Sequence, residues 1–447
     1  MRKLRRRMLI ATAGTAALLI AAIGLAPLLD WTVGTNKVAV LPVDASLIAR
    51  GKYLAQLGDC AACHSVAGQP AFSGGLRMTL PIGAIYTPNI TPDPRNGIGE
   101  FSLADFDKAL RFGVSRGHSL YPAMPFPSYA NTRPEDVEAL YAYFLRGVEP
   151  ASVPNRPADI DFPLSMRWPL TYWRLAFAPT PTPFKELTSD DRSVSVGAYL
   201  VEGLGHCGEC HTPRGLAMQV RAQTSSDGAS FLSGAVVERW FAPSLRSAGP
   251  GSLADWTDQD IARFLQTGAN HTGIAFGSMN DVVSNSTQYL SEADALAIAR
   301  YLKTLRDSDI QHSQFAYDET TDRGLRAGNA SQRGALLYLD NCAACHRPDG
   351  RGYAEVFPAL AGNPVVESDQ ALSLISIVLS GSTTTRTQAT PAQFHMPSFE
   401  WRLSDEEIAD VASFIRSSWG NRAAPVNAKE VEERRAQLVQ TQSTTAR

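Results

Sequence analysis

The chain is 447 residues long and has little of several things. It has no glycine-rich phosphate loop and no Rossmann fingerprint set between a strand and a helix, so no nucleotide cofactor is indicated. Charge is sparse at 19% of residues, and no acidic residue precedes Asp30. The body has no basic surplus either. Leaving out Arg2, Lys3, Arg5, Arg6 and Arg7 reduces the 41 basic residues to 36 against 44 acidic ones, a net charge of −8. An acidic body argues against nucleic acid as a partner. Only six cysteines are present. Nothing outside them forms a metal-cofactor cluster, and no residue stands out as able to oxidise an organic substrate, so none is assigned a catalytic role. A hydrophobic fraction of 44% nevertheless fits globular domains, two to four at this length.

The N-terminus carries a run without charge, Met8 to Leu29, behind the five basic residues. As a helix it would span roughly 33 Å at about 1.5 Å per residue, enough to cross a bilayer with the basic cluster left in the cytoplasm. The competing expectation is a signal peptide cut near Ala22 or Ala26. Either way the body is exported to an oxidising compartment.

The six cysteines form three pairs, each with histidine as the very next residue: CAACH at Cys60–His64, CGECH at Cys207–His211 and CAACH at Cys342–His346. A disulfide framework does not require the histidine, and a zinc ribbon makes no demand on the residue after each pair. Cys-x-x-Cys-His suits covalent haem c: Cys60, Cys63, Cys207, Cys210, Cys342 and Cys345 bond the vinyl groups, and His64, His211 and His346 lie beside iron. A thioredoxin-like pair or zinc is the alternative for one copy, but three copies in register consume every cysteine.

Two further elements recur in order. An amphipathic helix ends at Gly113, Gly268 and Gly381, where glycine suits a helix C-cap. A closing helix carries Tyr143, Tyr301 or Phe414 seven residues after Asp136, Asp294 or Glu407. Between them stand Met124, Met279 and Met396, candidate sixth ligands; the first two lie 11 residues past their glycine and the third 15. Core filling is the alternative for any methionine, and His395 competes with Met396. A His/Met iron serves electron transfer, whereas an open iron would admit peroxide chemistry. Glu149 to Phe184, rich in proline and aromatics, reads as a linker wrapped over neighbouring surfaces. Asp307 to Ser331 reads as a surface connection, and Ala423 to Arg447 as a frayed helix or disorder without an apolar stripe.

Stretches such as ARGKYLAQLGDCAACHS, PIGAIYTPNITPDPRNGIGEFSLADF, LYPAMPFPSYA, YLVEGLGHCGECHTPRGLAMQ and FPALAGNPVV resemble the triheme cytochrome c subunits of bacterial membrane-bound dehydrogenases for alcohols, gluconate and fructose. The resemblance runs from about Ala49 to Ala423. It implies an all-α fold of three tandem class I-like cytochrome c domains behind an N-terminal apolar helix. The expected boundaries are 1–30 for a signal-anchor or signal peptide, 45–150 for the first domain, 151–190 for a linker and 191–307 for the second domain. A linker at 308–330, the third domain at 331–422 and a polar tail at 423–447 complete it. The resemblance also implies three haem c groups and supports Met124, Met279 and Met396 as axial ligands. It implies a periplasmic subunit on the inner membrane that passes electrons to ubiquinone from a partner catalytic subunit of flavin, quinone or molybdenum type. A haem enzyme such as a peroxidase, or a free-standing electron shuttle, remains the alternative.

Overall fold

The computed structural model describes residues 2–34, 44–237, 240–247, 252–306 and 314–445, without the side chains of 2–9, 11–13, 16, 19 and 439–445. The chain divides into two compact units. One holds Met1–Lys185 with Gly203–His206 and Leu216–Gln219; the other holds Glu186–Glu202, Cys207–Gly215 and Val220–Arg447.

In the first unit the helix Ala45–Leu57 starts at Asp44, whose carboxylate accepts from the Leu47 amide at 2.8 Å. It packs along the helix Pro134–Arg146. Between them in the chain lies the helix Leu103–Phe112, opened by a Ser102–Asp105 capping box and closed by Gly113 at φ 64°. The linker is not merely extended. It contains the helix Trp168–Phe177, whose N1/N2 proline suits a first turn. This helix packs on the N-terminal helix Arg2–Trp31. Buried Asp30 is the fastener: it accepts from the Ser119 amide at 2.9 Å, the Ser119 hydroxyl at 2.8 Å, the Thr171 hydroxyl at 2.9 Å and Arg174 Nη2 at 3.1 Å. Trp168 and Trp173 are half-buried, as their bulk requires, while Phe177 stays exposed. Among the described residues no helix is long and apolar enough to cross a membrane. The anchor expected over Met8 to Leu29 rests in part on side chains outside the described ones.

The second unit repeats the crossed pair twice, as Arg192–Glu202 with Glu292–Thr304 and Arg333–Asn341 with Asp405–Arg416. The helices Asp258–Thr267 and Leu372–Ser380 end at Gly268 and Gly381, both with positive φ, as the glycine signals predict. Of the two expectations for residues 423–447, the helix is the one that forms, and only the expected lack of an apolar stripe needs correction. Ala428–Thr445 is a helix, and Val431 and Leu438 are buried in one cluster with Leu374, Leu379 and Ile408. Two apolar residues seven apart suffice for a narrow stripe in an otherwise polar helix. Arg434 Nε adds a buried bond to the Ser376 hydroxyl at 2.7 Å. The connection before the third repeat also contributes to its core, through Phe315, Tyr317 and Leu325; residues 307–313 lie outside the described ones.

The expected all-α fold is interrupted, among the described residues, by four two-stranded antiparallel ladders. They are local hairpins in the loops. Val114–Ser115 and His118–Ser119 are joined through Arg116 at φ 51° and Gly117 at φ 76°, the left-handed pair of a tight two-residue turn.

Candidate haem-attachment sites

Each Cys-x-x-Cys-His motif is one short helical turn that comes after the first helix of a crossed pair. The crossing is unusually close, for one reason in all three copies. Gly51, Gly197 and Gly334 face the closing helix, and a β-carbon there would lie 1.9, 2.0 and 2.3 Å from the carbonyl oxygens of Ala139, Ala297 and Asp410. The same β-carbons would meet Cβ of Tyr143, Tyr301 and Phe414 at 2.7, 2.7 and 2.8 Å. The recurring aromatic therefore marks the contact point of each helix pair. The aromatics were legible in the sequence and their glycine partners were missed, although Gly-Lys-Tyr-Leu, Gly-Ala-Tyr-Leu and Gly-Ala-Leu-Leu was a usable signal.

The imidazoles are oriented alike. The Nδ1–H of His64 donates to the Pro88 carbonyl at 2.8 Å, that of His211 to Pro243 at 2.7 Å and that of His346 to Pro358 at 2.9 Å. This bond selects the tautomer whose Nε2 carries a lone pair for a metal. Burial holds all three imidazoles below the usual histidine range, the carbonyl opposing in part, so they stay neutral and able to ligate. The prolines were not legible as partners because they lie 24, 32 and 12 residues beyond their histidines.

All six cysteines are free thiols. Burial pushes Cys60, Cys207 and Cys342 up to about 12, with help from Asp59 at Cys60. Among the described residues no group of three or more His, Cys, Asp or Glu side chains could hold a metal ion. Two thiols and an adjacent imidazole per motif are what covalent haem c requires: the thiols to add to its vinyl groups and the imidazole to ligate.

Cys342, Cys345, His346 and Met396 line one cavity, whose walls include Phe357, Ile377 and Phe399. Such an apolar cavity suits a flat macrocycle, and these residues fit haem c. His395 and Met396 form a two-residue strand against Ser382 and Thr383. Adjacent strand residues point to opposite faces. Met396 packs on the buried cluster, whereas His395 is exposed and shares a 2.9 Å hydrogen bond with the Thr383 hydroxyl, although both border the cavity. Met124 sits in a turn, its amide bonded to the Tyr121 carbonyl at 3.2 Å and its carbonyl to the Phe126 amide at 2.8 Å. Phe126 in turn covers Gly113, where a β-carbon would lie 2.5 Å from its ring. Met279 stands in the first turn of the helix Ser278–Asn285.

The fold and site define a c-type cytochrome, and comparison with known proteins agrees. The family described as cytochrome c matches residues 48–147 and 331–419. The gluconate 2-dehydrogenase cytochrome c subunit of Pantoea cypripedii is 48% identical over 413 residues, which cover 90% of this chain and 93% of that one. The cytochrome c subunit of the alcohol dehydrogenase (quinone) of Komagataeibacter europaeus is 46% identical, covering 87% and 84%. The fructose dehydrogenase cytochrome subunit of Gluconobacter japonicus is 36% identical, covering 96% and 90%. The chain belongs to this family of dehydrogenase cytochrome c subunits.

Proposed function

We propose that the protein carries three covalent c haems and conducts electrons from a periplasmic dehydrogenase subunit acting on an alcohol, sugar or sugar acid to ubiquinone. The observation that carries this reading is the threefold recurrence of one geometry: a thiol pair, a histidine turned by a proline carbonyl, and a Gly–aromatic helix crossing. Haem c supplies reversible one-electron chemistry. The chain's residues do the rest. Cys60 with Cys63, Cys207 with Cys210, and Cys342 with Cys345 anchor the groups. His64, His211 and His346 would offer Nε2 to the iron, and Met124, Met279 and Met396 would serve as its second protein ligands. Irons so ligated would serve electron transfer, and the organic reaction would fall to the partner. The kinship with a subunit of a quinone-type alcohol dehydrogenase supports quinone as acceptor. The basic N-terminus ahead of an apolar run supports the periplasmic face of the inner membrane, reached by a retained anchor or a cleaved signal.

The test is purification in mild detergent, then an intact mass and a substrate panel. Three haem masses on the chain, a co-purifying catalytic subunit and haem reduction by an alcohol, sugar or sugar acid are expected. Two haem masses would overturn one site. Carbon monoxide binding by the unaltered reduced protein would favour the haem enzyme, and purification without a partner would favour the free shuttle.

A further inference from the structure

The stretch Ile274–Met279 belongs by chain order to the second repeat, yet its first half faces the third repeat's cavity. Ile274, Ala275 and Phe276 line that cavity with Cys342, His346 and Met396. The stretch is well anchored. The Ala275 amide donates to the Gly268 carbonyl at 2.7 Å, and Phe276 meets Trp240 edge-on with centroids 5.4 Å apart. Gly277 has φ 55°, and a β-carbon there would lie 2.7 Å from the Trp240 ring. The surrounding elements of the two repeats are also bonded together. Arg263 grips Glu355 through two bonds of 2.7 and 2.6 Å. Asn280 Nδ2 donates to the Thr383 carbonyl at 2.9 Å, directly opposite His395 in the ladder that carries Met396. The Ser373 hydroxyl bonds both the amide and the carbonyl of Phe241, at 2.8 and 3.0 Å.

We propose that Ile274, Ala275 and Phe276 complete the third haem's pocket, so that the second and third sites share the segment Ile274–Met279. This rests on the three-haem reading above. Phe276 and Met279 are three residues apart, and three residues reach at most about 11 Å. The ligand of one site and the wall of the next are therefore neighbours by covalent necessity. The wall also sets a property. An apolar side chain that keeps water from the iron disfavours the more positively charged ferric state and raises the potential.

The experiment is a spectroelectrochemical titration of the full-length holoprotein. Met396→Ala first identifies which step belongs to the third haem. Phe276→Ala is then expected to lower that step and leave the first haem's step in place, while Phe276→Leu keeps it near wild type. Ile274→Ser, expected to lower the same step, serves if Phe276→Ala fails to load haem. A third-haem step unmoved in both Phe276→Ala and Ile274→Ser, with three haems bound, overturns the proposal. Fewer than three haems in the unaltered protein would instead sink the reading on which it rests.

Discussion

At the scale of single residues, the design separates holding from tuning. Each motif histidine is aimed by one bond to a proline carbonyl, while burial keeps it neutral. The methionines have no such common partner and are placed by their loops. On the proposed three-haem reading, replacing Met124, Met279 or Met396 by alanine should leave the covalent haem in place and open one iron. Each variant is expected to bind carbon monoxide at one haem in three, read from the reduced spectrum. If Met396→Ala stays closed, His395 has taken the position. The sequence proposes Met124 and Met279 through their equal distance from a capping glycine. Met396 was ambiguous because a histidine precedes it, and only the strand alternation puts the two side chains on different faces.

At the scale of elements, the crossed helix pair is the unit that recurs. Gly197→Ala would drive a β-carbon to 2.0 Å from a backbone carbonyl that cannot move without its helix. Overpacking of this kind costs about 1–3 kcal/mol or more. A fall in thermal stability and in haem content is expected. Gly324→Ala, where the nearest atom lies at 3.9 Å, is the control and should be neutral or slightly stabilising. A second prediction concerns the Arg263–Glu355 pair. Hydrogen bonding to Arg263 holds the Glu355 carboxyl below its ordinary value of 4.5. A depressed carboxylate contributes its full stabilisation above pH 4.5 or so and loses it as the pH falls through the lowered value. Both side chains are substantially exposed, so the contribution is about 1 kcal/mol at most. Hydrogen-exchange protection around residues 353–357, taken relative to the intrinsic rate at each pH, should fall below pH 4.5, and Glu355→Gln should show that lower protection already at neutral pH, with little further pH dependence.

At the scale of the whole molecule, the N-terminal segment is tied into the first unit at its C-terminal end. Asp30 constrains where the mature chain begins. Its carboxylate is buried against Arg174, Ser119 and Thr171, so the folded first unit retains it. The mature N-terminus, mapped by sequencing, is expected at or before Leu29. A start near Met1 with a detergent requirement would identify an anchor, and a start at Ile23 or Pro27 a cleaved signal. A start beyond Asp30 would contradict the network, because it would leave Arg174 buried without its partner. Asp30→Ala should accordingly destabilise the first unit by about 3–5 kcal/mol in a denaturant titration, the usual effect of removing one member of a buried pair.

The sequence alone determined the chemistry of attachment, because covalent haem bonding is a local matter of two thiols and a neighbouring imidazole within five residues. It also determined the order of helices, since apolar periodicity, capping residues and terminal glycines act within a few turns. Tertiary structure decided what depends on parts of the chain far apart. The proline carbonyls lie at three different distances from their histidines, so no spacing could reveal them. The C-terminal helix looked polar because two buried residues, Val431 and Leu438, make too sparse a stripe to read without the surface that receives them. Asp30 looked like the mere end of an apolar run until Ser119, Thr171 and Arg174, far along the chain, closed around it. The sharing of Ile274–Met279 between two repeats was likewise invisible, because a repeat pattern assigns each segment to its own unit, whereas packing assigns it to whatever cavity it meets.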